Sequence, residues 1–216
     1  MEVYLDGGVA KFKRQPESLY ALSYGVVTHR HGELVELYGC KMVTGVFGDY
    51  HELMAYVEAV RYVASEGVPP SQVNFVCDDF DLFRAFHSAH PENYNPTAFA
   101  KYTERLKKYC AAFYEETTVE LCLKYLKGAN VMKVNGHCFC MNNLRCDYLA
   151  AYARKVEVEG TAEFRTFNEW VKQGFVQYVG PEFKGNRDLE RNENGDLYFK
   201  WYAPFANMPE DQLELA

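Results

Sequence analysis

No stretch of the chain holds 18 consecutive apolar residues, so no transmembrane helix is expected. The first residues, Met1-Glu2-Val3-Tyr4-Leu5-Asp6, lack the basic flank and apolar run of a signal peptide and read as a strand. Positive charge is in short supply: 23 Lys and Arg stand against 30 Asp and Glu, a net charge of -7, which excludes a generally basic nucleic-acid coat. Cysteine is not organised either. Seven is an odd count without the spacing of a secreted disulfide scaffold, so reduced thiols and a cytoplasmic location are expected. There is no internal repeat and no low-complexity segment. Tryptophan is rare, at 2 residues, yet 17 Tyr and 15 Phe give ample aromatic surface for a core and for stacking or a partner interface.

The 216 residues suffice for one large domain or one domain with an appendage. Val3 to Asp6 reads as a strand ended by Gly7-Gly8. Leu19 to Thr28 and Leu34 to Val43 read as two more, joined by the turn His31-Gly32, so an antiparallel meander is expected. Asp49 to Ser65 switches to helical period, with Asp49 as N-cap and Glu52 at capping-box spacing. Val73 to Cys77 is a short apolar strand. Its return after a helix predicts a crossover and a parallel neighbour. Helical segments follow over Phe80 to His87, Thr97 to Phe113, Val119 to Lys127 and Asn142 to Val156, with a strand over Asn130 to Val134 and a turn at Gly136-His137. Beyond Glu157 the texture changes: a helix over Phe164 to Gly174, a charged turn-rich stretch, an aromatic run over Leu197 to Tyr202 and an acidic tail are expected.

Four acids carry the chemistry. Asp6 and Asp78 each end a predicted strand; Glu52 and Asp147 lie near predicted helix starts. Neighbouring strands and nearby helix starts would bring the four together. Like charges at that spacing repel. Divalent cations remove the conflict, and hard oxygen donors suit Mg²⁺ or Mn²⁺. Two such ions about 4 Å apart can activate water and stabilise a leaving oxygen at a phosphodiester. Taken singly, each acid also reads as a turn, cap or solvated helix residue.

In order along the chain, the motifs are Asp6-Gly7-Gly8, Tyr24-Gly25-Val26-Val27, His51-Glu52-Leu53-Met54-Ala55, Val76-Cys77-Asp78-Asp79, Val134-Asn135-Gly136-His137, and Asn143 with Arg145-Cys146-Asp147 and Leu149-Ala150. Together they resemble the type 1 ribonuclease H family across residues 1–155. The resemblance implies a ribonuclease H-like α/β domain over residues 1–156, a mixed five-stranded sheet flanked by helices, with a C-terminal extension over 157–216. It implies hydrolysis of the RNA strand of RNA:DNA hybrids. Asp6 would bridge two metals, with Glu52 and Asp78 completing one site and Asp147 the other. His137 would help activate water or release product, as an unperturbed imidazole suits proton transfer. Asn143 would face the nucleic acid. Gly48-Asp49-Tyr50-His51 and Asp79-Phe80 depart from the family's hybrid-reading residues.

Charge is uneven. From Arg84 to Lys133 there are eight Lys and Arg against five Asp and Glu, while the rest carries 15 against 25. Lys101, Arg105, Lys107 and Lys108 fall on roughly one helical side and form the candidate phosphate-docking surface, where some family members carry a basic protrusion. Three other readings remain. One is a zinc site from His137, Cys138, Cys140 and Cys146. Another is a non-catalytic nucleic-acid or protein binding module on the same fold. The third is a related DNA-directed nuclease. Trp170, Tyr178, Tyr198, Phe199, Trp201 and Tyr202 in the extension would pack on the domain, meet a protein partner or stack bases.

Overall fold

Val3 and Leu5 are fully buried on one side of the first strand, while the residues between them face the other, the alternation a two-sided sheet requires. The computed structural model describes residues 1–12, 19–89, 96–134, 140–160, 189–191 and 197–199. Strands β1 (Glu2–Phe12), β2 (Leu19–Arg30) and β3 (Glu33–Thr44) form the expected antiparallel meander. His31 and Gly32 both have positive φ, 52° and 85°, the backbone of a primed two-residue hairpin turn. Helix α1 (His51–Ser65) crosses to β4 (Asn74–Cys77), which lies parallel to β1 as expected. Helices α2 (Phe80–Ala89), α3 (Pro96–Phe113) and α4 (Glu116–Gly128) lead to β5 (Asn130–Lys133), parallel to β4. Helix α5 (Met141–Glu159) follows. The sheet order is β3-β2-β1-β4-β5. This is the mixed five-stranded, helix-flanked sheet of a ribonuclease H-like fold.

The two faces are covered by different helices. On one, α1 supplies the stripe Leu53, Tyr56, Val57, Val60 and Val63, which packs with Val3, Leu5, Leu22, Val26 and Phe75 and with residues of α2, α3 and α4. Tyr56 is the hub: its ring meets Phe75, Phe86 and Tyr102, and its buried hydroxyl donates to the Cys122 carbonyl at 2.8 Å. Burying each large apolar side chain here stabilises the fold by about 1.5–3 kcal/mol. On the other face α5 lies across β1, β2 and β3.

Two glycines set how closely these helices approach. A Cβ on Gly7 would sit 2.4 Å from the His51 carbonyl carbon, at the start of α1. A Cβ on Gly25 would sit 2.0 Å from the Cys146 carbonyl oxygen in α5. Backbone, not flexible side chain, occupies both places, so each helix rests directly on the sheet. Strand β1 therefore does not end at Gly7-Gly8, as their sequence suggests, but runs through them to Phe12. A second expectation also changes. Gly45–Asp49 forms a 3-10 turn, α1 begins at His51, and its N-cap is Tyr50 without a side-chain cap bond. Asp49 is not the cap because the turn ends on it, and Glu52 is engaged elsewhere.

Helix α5 extends three residues past the expected end at Val156. Strands β6 (Leu189–Arg191) and β7 (Leu197–Phe199) pair antiparallel with each other. The Gly136-His137 turn, the Phe164 to Gly174 helix, the acidic tail, and Trp170, Tyr178, Trp201 and Tyr202 lie outside the described residues. No helix among the described residues is long and apolar enough to cross a membrane.

Gly25→Ala should cost at least about 2 kcal/mol, since backbone must move to admit a methyl. Gly8→Ala should cost less, because its nearest atom is the movable guanidinium of Arg154. Urea unfolding of the two variants checks the order.

Candidate metal centre

The parallel ladder between β1 and β4 stops at the pair Tyr4–Val76, while β1 continues to Phe12. The β4 side of β1 is thus a step, open beyond Tyr4. Asp6 and Gly7 stand on this step, and Asp78 follows directly on the end of β4. Above it, the bare Gly7 lets the start of α1 descend, and Glu52 reaches the strand. The Gly7 amide has no ladder partner on β4. It donates instead to Asp6 Oδ1 at 2.8 Å and to Glu52 Oε2 at 3.2 Å. That bond to β1 is what diverts Glu52 from its own helix terminus. On the other face, Asp6 shares the side of its cross-strand partner Gly25, where the α5 backbone rests at Cys146. Asp147 is the next residue.

Asp6, Glu52 and Asp78 each offer a carboxylate oxygen, and these oxygens lie within 4.8 Å of one another. Asp6 is 2% exposed; the other two are half-buried. Burial pushes the Asp6 carboxyl well above its ordinary range, and the charges of Glu52, Asp147 and Asp78 add to that push. Glu52 is also raised well above the usual range, by burial first and then by Asp79 and Asp78. A buried set of hard oxygens whose ionised forms oppose one another fits one or more divalent cations.

Three acids within four residues compete for one role in the sequence, and the structure separates them. Asp79 caps α2: its Oδ1 accepts from the Asp81 amide at 2.9 Å and its Oδ2 from the Leu82 amide at 3.0 Å. Asp81 pairs with Arg105 at 3.3 Å. Asp78 is the one that joins Asp6 and Glu52. His51 was not a sequence candidate, yet its Nε2 lies 3.7 Å from Glu52 Oε1. Burial holds its imidazole below the ordinary value, so it is neutral at pH 7. Its position beside Glu52 was the signal available. His137 lies outside the described residues, as does Cys138 of the zinc reading. Cys146 is fully buried against the sheet.

A groove of about 620 Å³ runs from Glu52 and His51 along Asp79 and Tyr50 to Lys101, Tyr102 and Arg105 of α3. Lys101, Arg105 and Lys108 follow one helical side, and Lys107 turns about 120° away from Lys101 at 100° per residue. Arg105 is largely committed within the protein: besides Asp81 it donates to the Asp49 carbonyl at 2.8 Å and covers the Tyr50 ring. Lys101, Lys107 and Lys108 are exposed. Asn143, expected at the nucleic acid, is fully buried, so its side chain is not presented on this surface.

No protein-family model and no curated protein matches the chain. Among solved structures it is similar to the RNase H1 of the halophilic archaeon Halobacterium salinarum NRC-1, with 17% identity and a TM-score of 0.40 over 70% of this chain and 95% of that one. It is also similar to the N-terminal RNase H domain of rv2228c from Mycobacterium tuberculosis, with 13% identity and a TM-score of 0.41 over 74% and 99% of the two chains. A third is LC11-RNase H1 in complex with an RNA/DNA hybrid, with 14% identity and a TM-score of 0.43 over 73% and 98%. These likenesses are distant. The fold assignment rests on the strand arrangement.

A carboxyl raised by folding binds its proton more tightly folded than unfolded. Its contribution is full below the unfolded value, about 4, and is lost as pH rises through the raised value. The contribution of Asp6 and Glu52 to metal-free stability should therefore fall as pH rises above about 4. Mg²⁺ should raise the thermal midpoint more at pH 8 than at pH 5. Asp6→Asn should raise the metal-free midpoint at pH 8 and remove most of the Mg²⁺ response. Calorimetric scans with chelator and with Mg²⁺ check all three.

Proposed function

We propose that this chain is a metal-dependent endonuclease of ribonuclease H type, hydrolysing the RNA strand of RNA:DNA hybrids. The observation that carries the reading is the convergence of Asp6, Glu52 and Asp78 on one step of the sheet, with buried Asp6 also feeling Asp147. In the proposed site Asp6, Glu52, Asp78 and Asp147 would be the residues that hold the divalent cations. Bound Mg²⁺ or Mn²⁺ would supply Lewis-acid stabilisation of the phosphodiester and an activated water.

The chain's own groups do the rest. The Gly7 amide fixes Asp6 and Glu52 relative to each other. Glu52 lines the groove, so a backbone lying in it would reach one member of the acid cluster. Lys101 in the groove wall and Lys108 on the same side of α3 would meet phosphates, which makes affinity salt-dependent. His137 is assigned proton transfer on the motif resemblance alone. The neutral His51 beside Glu52 and the altered residues 48–51 favour a hybrid-reading surface different from the family's usual one. That difference supports a DNA-directed nuclease as the second reading.

Labelled RNA:DNA hybrid, duplex RNA and duplex DNA, incubated with Mg²⁺, Mn²⁺ or chelator, separate the readings on one gel. Hybrid should be cut only with metal, and Asp78→Asn should cut at least about a hundredfold more slowly, since even residues supporting a metal's ligands are worth 10–100-fold. Uncut hybrid under every metal condition sinks the enzymatic claim. Preferred cutting of duplex DNA moves it to the second reading.

A further inference from the structure

Phe80 stands out beside the centre. It is the first residue of α2, one step past the capping Asp79 and two past Asp78. The buried face of α2 is Leu82, Ala85, Phe86 and Ser88, and Phe80 is not on it. The residue is 54% exposed. Two cations attend its ring: the Arg84 guanidinium carbon lies 5.3 Å from its centroid and the Lys133 ammonium 5.5 Å. Lys133 comes from β5, opposite Cys77, so α2 and β5 together build the cluster at the end of the sheet where Asp78 follows β4.

We propose that Phe80, flanked by Arg84 and Lys133, is a stacking platform for one unstacked nucleobase of the bound nucleic acid, next to the metal centre. The proposal deepens the nuclease reading and rests on it for the identity of the ligand. An exposed ring contributes little to the core, and a cation over an exposed ring adds only about 0.5–1 kcal/mol. Phosphate oxygens are stronger partners for Arg84 and Lys133 than a ring face. Drawn to the backbone, the cations leave the ring's face to a base. Aromatic rings interleaved with cations are the combination that binds single strands with little sequence preference. An apolar protein partner would instead have to desolvate both cations without compensation. Two Cα steps from Asp78 are about 7 Å, and successive nucleotides advance about 3.4 Å along a strand. The stacked base therefore lies within about two nucleotides of a phosphate held at the acids. A nucleotide there must leave its own stack, so substrates with an unpaired or frayed position near the cut are favoured.

The test uses short single-stranded DNA carrying one 2-aminopurine, and a hybrid in which the 2-aminopurine is unpaired. Wild-type protein should quench the probe at saturation. Phe80→Trp should keep the quenching. Phe80→Ala should lose it and bind on the order of ten- to a hundredfold more weakly. Arg84→Ala and Lys133→Ala should each lower the salt dependence of binding by about one counterion. Quenching by Phe80→Ala equal to wild type, or no quenching by wild type, overturns the platform. Uncut hybrid with intact, Phe80-dependent quenching would sink the nuclease reading and leave the platform standing.

Discussion

Repulsion among carboxylates in a place that water barely reaches is the constraint on which this molecule turns. Asp6 is buried in the middle of a strand, and three other acids press on its charge. A fold selected for stability alone would place an apolar residue there. The surrounding structure keeps the conflict rigidly in place. One amide holds two of the acids, a strand end supplies the third, and a helix resting on bare backbone brings up the fourth. Stored repulsion of this kind is a preformed affinity for positive charge.

The rigidity comes from both faces at once. Tyr56 ties α1 to the sheet, to α2 and to α4, so the helix that carries Glu52 is fixed by a core away from the acids. Close contact at Gly25 fixes α5 in the same way. Glu52 and Asp147 are thus supported by packing on either side of the sheet, and Asp78 by the end of β4.

Much of this was legible in the sequence, because motifs record contacts that backbone geometry demands. The meander, the parallel return of β4 and the segment hosting each acid all follow from periodicity and turn chemistry. What failed, failed for nonlocal reasons. Gly7-Gly8 reads locally as a break, yet the bare Gly7 backbone admits the start of α1, a helix that begins far along the chain at His51. Asp49 and Glu52 have capping-box spacing, but Glu52 is claimed by an amide on another strand. Asp78, Asp79 and Asp81 are equivalent on paper, and only the start of α2 and Arg105 assign two of them elsewhere. Asn143, placed at the nucleic acid by the family resemblance, is buried.

The groove that Glu52 lines has a thermodynamic consequence for the proposed site. Glu52 belongs both to the acid cluster and to the groove wall. A cation that neutralises it raises the electrostatic potential felt by any anion lying along α3. The anion, in turn, offsets the positive charge the cation brings. Linkage makes the two effects equal: whatever factor the cation adds to the anion's affinity, the anion returns to the cation's. In the proposed function, cation and anion would therefore strengthen each other's binding by one and the same factor.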